Sequence, residues 1–302
     1  MEQTSIDREL EQAIDPWLEH MRWRSDFKNW REERIWQENK QQAKLATLET
    51  FLRLADKSID APASIPNLSG LKVLDLGCGM GGLSVALALR GATVTPFDFN
   101  PAYCHITQLR GDRYGLRLNP VNGAGEKLPF PADYFDVVMC MDVLEHVQKP
   151  ESLLSEVSRT LQAGGLLYLT AINRLAFDDP HYHVKGVNWL PRGLAKGYLQ
   201  LVGRSKDNSR FKDNQTLEAM HYFRYGELSK LAARHNFKKV FEYGEVNLNQ
   251  PTTKPSLAKK KETSGLKEQA VQLLRATKLL GPVYQLYRNF YKGTYQLALI
   301  KS

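Results

Sequence analysis

The chain has 302 residues, with 41 Lys and Arg against 33 Asp and Glu. Apolar residues make up 42% and charged residues 25%, which excludes a wholly disordered or fibrous chain. The mean hydropathy is −0.42, and no apolar run approaches the roughly 20 residues of a membrane span.

The polar, acidic start MEQTSIDREL has no apolar core of a secretory leader. Cys78, Cys104 and Cys140 contain no CxxC pair, which argues against a disulfide scaffold or a zinc site and fits a reducing cytosol. Charge is uneven along the chain. Residues 250–302 hold ten basic and two acidic residues, leaving 31 of each sign before them. A basic tail on a neutral body points to an acidic partner surface, lipid or nucleic acid.

Residues 1–58 lack glycine and predict helix, with Trp23, Phe27 and Trp30 forming an aromatic stripe at i, i+4, i+7. The stripe suits a lid or a packed accessory layer. APASIPNLSG (61–70) reads as a linker. Strands and helices then alternate: strand 71–76, helix 83–91, strand 92–98, helix 101–114 after the cap residue Asn100, and strand 116–122. Strand 135–141, helix 150–161 and strand 165–172 follow. This alternation predicts βαβ units with a mostly parallel sheet.

From 173 to 225 the rhythm breaks into a stretch rich in aromatic residues, His and Arg. Helix 227–235, strand 238–246 and a basic linker over 254–265 come next. Helical spacing runs from 266 to about 291, interrupted at Gly281-Pro282, and a last strand spans 294–302. The expected divisions are 1–60, a core over 70–249 with an insertion at 173–225, and a basic C-terminal segment over 250–302.

The stretch VLDLGCGMGGL (73–83) places a glycine turn between a strand and a helix. Its glycines allow close backbone approach to a ligand, and Asp75 stands at the strand's C-terminal end, the ligand edge of an open α/β sheet. No Lys-Ser/Thr follows, so it is not a P-loop, and the spacing G-x-G-x-G-G departs from the dinucleotide fingerprint. Asp98 ends the second strand about 20 residues later, where a carboxylate accepts from both hydroxyls of a ribose.

Together D-L-G-C-G-x-G, Asp98, G-E-K-L-P-F (125–130) and C-M-D-V-L-E-H-V (140–147) resemble class I S-adenosylmethionine-dependent methyltransferases. The nearest flavour is the ubiquinone-biosynthesis O-methyltransferase group. The resemblance covers about residues 70–175, with weaker agreement at 226–246 and 293–302. It implies a Rossmann-like, doubly wound seven-stranded sheet, mostly parallel with an antiparallel last strand, plus N-terminal helices and helical insertions. It also implies S-adenosylmethionine as cofactor and S-adenosylhomocysteine as product.

The roles it implies follow residue by residue. Asp75 with Gly77, Cys78, Gly79 and Gly81 would hold the methionine end. Asp98, with Phe99 and Asn100, would hold the ribose and adenine. Gly125 and Glu126 would edge the adenine, and Cys140, Met141 and Asp142 would lie under the sulfonium. One departure is visible: relatives read G-D-A-E where this chain has Gly123-Ala124-Gly125-Glu126, so the usual adenine acceptor is missing.

Methyl transfer to a hydroxyl needs a base, and His146, after the fourth strand, is the candidate. His181, Tyr182, His183 and Trp189, with His221 and Tyr222, are the candidate acceptor-binding residues. H-x-H alone is a poor metal signal, so no metal is expected. Both thiols at the ligand edge, Cys78 and Cys140, read as buried filler rather than nucleophiles.

Val283, Leu286, Tyr287, Phe290 and Tyr291, with Arg275, Lys278, Arg288 and Lys292, make residues 250–292 basic and amphipathic. That pattern suits weak contact with an anionic membrane. The expected activity is methyl transfer to a small or lipid-linked acceptor, at oxygen, by a cytoplasmic chain peripheral to a membrane. A nucleic-acid methyltransferase is disfavoured by the absent N-P-P-Y signature. A non-catalytic S-adenosylmethionine-binding protein is the third reading.

Overall fold

A computed structural model describes residues 2–22, 25–55, 68–204, 215–249 and 265–302. Trp23, most of the 61–70 linker and the 254–264 basic stretch lie outside the described residues.

The N-terminal segment forms α1 (Glu2–Leu18), α2 (Phe27–Ile35) and α3 (Gln42–Ala55), with short 3-10 turns after α1 and α2. The alternating part follows as β1 (Lys72–Leu76), α4 (Gly82–Ala88), β2 (Thr93–Asp98), α5 (Pro101–Asp112), β3 (Val121–Asn122), β4 (Phe135–Cys140), α6 (Pro150–Thr160) and β5 (Leu161–Ile172). Then come α7 (Arg192–Leu201), α8 (Tyr225–Arg234), β6 (Phe237–Glu242), α9 (Tyr243–Asn249), α10 (Gly265–Ala276), α11 (Leu280–Phe290) and β7 (Thr294–Lys301).

The seven strands form one sheet in the order β3-β2-β1-β4-β5-β7-β6. The sheet is mostly parallel with an antiparallel edge, the Rossmann-like arrangement expected. Chain order reverses between β1 and β4, the point at which such sheets open a crevice at their C-terminal edge. Leu76 is in register with Phe97 of β2 and with Cys140 of β4, so three strand ends bearing predicted site residues finish level.

Four elements differ from the sequence reading. The third strand shrinks from 116–122 to Val121–Asn122. Pro120 has no N–H to give a ladder, and only Phe97 and Asp98 pair with it. The fifth strand begins at Leu161, directly after α6, and its pairing with β4 shifts register between Phe135 and Val137.

Residues 243–246, read as strand, are the first turns of α9. The Glu242 carboxylate accepts from the Glu245 N–H at 3.0 Å and so caps that helix. The C-terminal helices separate at Thr277–Leu279, ahead of Gly281-Pro282. Lys278 takes φ +58°, a left-handed helix ending. Pro282 sits in the first turn of α11, where its missing N–H costs no helical bond.

The chain divides into two units. The first comprises 1–170, 231–240 and 298–302, and the second 171–230 and 241–297. In the first unit, α1 packs on α5 through Leu10, Ile14, Leu18, Ile106 and Leu109, with Phe27, Trp30 and Met80 around them. In the second, Ile172, Val187, Leu199, Met220 and neighbours form a separate core.

Candidate active site

The glycine turn after β1 is held rigidly. Gly77 and Cys78 both donate their N–H to the Phe97 carbonyl, at 2.8 and 3.0 Å. Gly77 has φ +76°, and a Cβ there would meet Val143 Cγ2 at 2.2 Å, so only glycine fits. Gly81, φ +78°, is pressed in the same way against Thr107. Gly79 differs: a Cβ on it would meet nothing within 4 Å, so the turn presents bare backbone to open space there.

Asp98 closes the turn from the side. Its Oδ2 accepts from the Gly79 N–H and its Oδ1 from the Asn100 N–H, both at 2.8 Å. A carboxylate oxygen can accept more than one hydrogen bond. Phe99 beside it is 72% exposed, a bare ring next to a carboxylate. The Asn100 side chain accepts from Ala102 N–H at 3.0 Å and caps α5. The amide of Asn122 donates to the carbonyls of Asp98 and Phe99, both at 2.9 Å, and fixes the loop.

Asp75 is buried, and Ser84 Oγ donates to its Oδ2 at 2.5 Å. Burial lifts its carboxyl from the ordinary 3.8 to about 6, with the nearby Asp98 charge adding to the rise and Ser84 opposing it. The N–H groups of Gly77, Cys78 and Gly79 are already engaged. What can meet a ligand's cation at this end is therefore the Asp75 carboxylate and backbone carbonyls. Cys78 and Cys140 are buried, and desolvation pushes both thiols well up, so neither is a nucleophile near neutral pH.

The other predicted residues are placed as follows. Gly125 abuts Leu153, where a Cβ would come within 2.7 Å of Cδ1. Glu126 accepts from the Gln148 N–H at 2.8 Å, bracing the approach to α6. Met141 is half-buried just past β4. Asp142, φ +59°, donates its N–H to Thr170 Oγ1 at 2.7 Å while its carboxylate accepts from that hydroxyl at 3.1 Å. His146 is half-buried in the turn that follows, its N–H on the Val143 carbonyl at 2.8 Å.

In the second unit, Tyr182 and Tyr222 are buried core residues. His181 and His221 are half-buried and His183 is exposed. Trp189 is exposed, its indole N–H on the Leu175 carbonyl at 2.8 Å. Residues that the sequence reading missed include Thr107 and Arg110. Thr107 Oγ1 donates to Gly79 O at 3.0 Å and Arg110 Nε to Met80 O at 2.6 Å, so α5 grips the turn from behind. Their i, i+3 spacing on a helix starting beside Asp98 was the available signal.

The family model described as "Methyltransferase domain" matches residues 74–169. Over 138 residues the chain is 38% identical to a ubiquinone biosynthesis O-methyltransferase of Pseudomonas syringae pv. tomato, covering 42% of this chain and 56% of that protein. A protein of the same name from Pseudomonas fluorescens is 40% identical over 112 residues, 36% of this chain and 47% of that one. The chain thus spans about half the length of the curated relatives it matches. The crystal structure of a magnesium protoporphyrin IX methyltransferase from Synechocystis PCC 6803, with bound SAH, is 16% identical with a TM-score of 0.49, covering 96% of this chain and 95% of that one.

Proposed function

We propose that this chain, whose residues 74–169 form a methyltransferase domain, moves a methyl group from S-adenosylmethionine to a hydroxyl of a small or lipid-linked acceptor. The observation that carries the reading is the meeting of Asp98 with Gly79 N–H at 2.8 Å at the sheet's switch point, beside the exposed ring of Phe99. Open space over Gly79 and an exposed aromatic ring suit a nucleoside. Asp98 takes the ribose hydroxyls, Phe99 the adenine face, and Asp75 with the turn carbonyls the ammonium of the methionine end. When bound, S-adenosylmethionine supplies an electrophilic methyl group.

The protein's own task is orientation, exclusion of water and removal of the acceptor's proton. His146 takes that proton on an imidazole nitrogen. His181, His183, Trp189 and His221 are offered as acceptor contacts; Tyr182 and Tyr222 act from inside the fold. The missing acidic residue at Ala124 lowers cofactor affinity relative to chains that carry one.

The test is calorimetric titration with S-adenosylhomocysteine, followed by a screen with methyl-labelled cofactor against small-molecule and lipid extracts. Asp98→Ala removes a charged acceptor and is expected to weaken binding by about 1.5–3 kcal/mol. Unchanged affinity in that variant would sink the cofactor assignment. Binding without turnover on any acceptor would favour the non-catalytic reading.

The same proposal includes a cytoplasmic chain touching an anionic membrane through residues 250–292. Among the described residues, no helix is long and apolar enough to cross a membrane. The apolar face of α11 is open: Leu286 is 61% exposed and Phe290 50%. The charge on that face needs correction. Arg288 is buried and ion-paired with Glu245, and Lys292 is bound to Glu242, so neither is available to lipid. Arg275, Lys278 and the lysines of 254–267 are left for that role, each contributing about 1 kcal/mol near an anionic surface. Co-sedimentation with anionic but not neutral vesicles, lost as salt rises, is the expected result. Equal binding to both vesicle types would overturn it.

A further inference from the structure

Buried arginines in this chain are answered by carboxylates: Arg110 and Arg113 by Glu38, and Arg288 by Glu245. Two half-buried arginines of the second unit, Arg174 and Arg192, form no ion pair with a described residue. The Arg174 guanidinium donates to the carbonyls of Asn188 and, at 3.5 Å, of Leu190. That puts it against the backbone just before Arg192, at the start of α7. Arg192 lies over the Tyr222 ring, 4.7 Å from guanidinium carbon to ring centroid. Its Nη1 is buried without a hydrogen-bond partner, as are Tyr222 Oη and Asn188 Oδ1.

Among the described residues, no carboxylate lies within ion-pair distance of either guanidinium. The charge of Glu227 reaches Arg174 and that of Asp179 reaches Arg192, without an ion pair to either; the Asp179 oxygens are engaged by the N–H groups of His181 and Tyr182 and by the Asn188 amide. Burial lowers both arginines from their ordinary value. The charge of Arg224 adds to this at Arg174, and the charge of Arg174 adds to it at Arg192. Two adjacent, partly desolvated cations that lack an ion pair are costly to keep, and the buried Nη1 of Arg192 calls for a partner.

We infer that Arg174 and Arg192 form a binding site for an oxyanion, a carboxylate or phosphate, carried by the methyl acceptor. The planar guanidinium fork suits either group. Only the word "acceptor" rests on the proposed methyl transfer. The anion site is defined by the second unit's own residues and can be tested without turnover.

The experiment is thermal melting of the full chain in benzoate and, separately, in inorganic phosphate, each against chloride at matched ionic strength. S-adenosylhomocysteine affinity is measured alongside. The wild type is expected to melt higher in at least one oxyanion. Benzoate alone assigns the site to a carboxylate and phosphate alone to a phosphate. Arg192→Met is expected to melt above the wild type without anion, to lose the anion response, and to keep its S-adenosylhomocysteine affinity. Should that variant not fold, Arg192→Lys keeps the charge without the fork and is expected to bind roughly ten- to hundredfold more weakly. No response in the wild type to either anion overturns the site. So does an undiminished response in both Arg192→Lys and Arg174→Gln. Loss of S-adenosylhomocysteine binding in the wild type overturns the cofactor reading while leaving the anion result standing.

Discussion

The two units differ in how they partner their arginines. In the first, Arg110 is fully buried and every arm of its guanidinium is used: on Met80 O at 2.6 Å, on Ile35 O at 2.6 Å, on Arg34 O at 2.9 Å and on Glu38. Arg113 adds Asp7 at 2.7 Å and lies 4.0 Å over the Trp36 ring. Glu38 also accepts from Tyr114 at 2.8 Å. The second unit closes Arg288 on Glu245 in the same manner and yet leaves Arg174 and Arg192 without an acid. A closed network fixes geometry: the first unit ties the N-terminal helices to the glycine turn.

Glu38→Ala is the hardest test of the closed network. It removes the only described acid that pairs with buried Arg110 and leaves Arg113 with Asp7 alone, and breaking a buried pair costs about 3–5 kcal/mol. Denaturant unfolding should show a loss of that size. A loss below about 1 kcal/mol would mean that the charges re-solvate readily, and the contrast between the units would fail. Arg192→Met, which removes an unanswered charge, is expected to shift stability the other way.

The difference also explains what could be read from the sequence. The glycine turn, Asp98 and the strands around them were legible because their constraints are local: glycines at positive φ, a cap at Asn100, apolar strand runs. The Arg110–Glu38 contact spans 72 positions and leaves no periodic trace. Glu126 had the right neighbours for an adenine contact, and only the fold shows it turned to the backbone of Gln148. Residues 243–246 read as strand because nothing in FEYGEV announces that the carboxylate of Glu242, the last residue of β6, will cap the next helix. Arg174 and Arg192 sat in a stretch noted for its arginines, but their lack of counter-charges is a property of packing alone.

A second test sharpens the first unit's role. The Asp75 carboxyl titrates near 6 in the free chain, raised by burial. In the proposed site a cofactor ammonium would favour the ionised carboxylate, so binding would release a proton wherever Asp75 starts protonated. The sign follows: affinity is full above about pH 6 and falls as pH drops through that value, by up to about tenfold per unit. Titration with S-adenosylhomocysteine at pH 5 and pH 7.5 checks it. Asp75→Asn should bind more weakly at pH 7.5 and lose the dependence, and a variant that kept the full slope would assign it to another group.

The smallest expected effect concerns Asn100, which the resemblance offered as a cofactor contact. Its side-chain oxygen accepts from Ala102 N–H at 3.0 Å at the first turn of α5, and Pro101 follows as the first helical residue. That is a capping role, and removing such a cap costs about 1 kcal/mol. Asn100→Ala should therefore lower stability by about that amount. Because the Asn100 backbone N–H, not its side chain, meets Asp98, the variant should leave Asp98 in place and cofactor affinity nearly unchanged. Asn100→Asp should restore most of the stability, since an acid at a helix start is a good cap and is favoured by the helix dipole. If Asn100→Ala lost affinity by tenfold while its melting point held, Asn100 would belong to the cofactor site, and the first unit would hold open donors of its own.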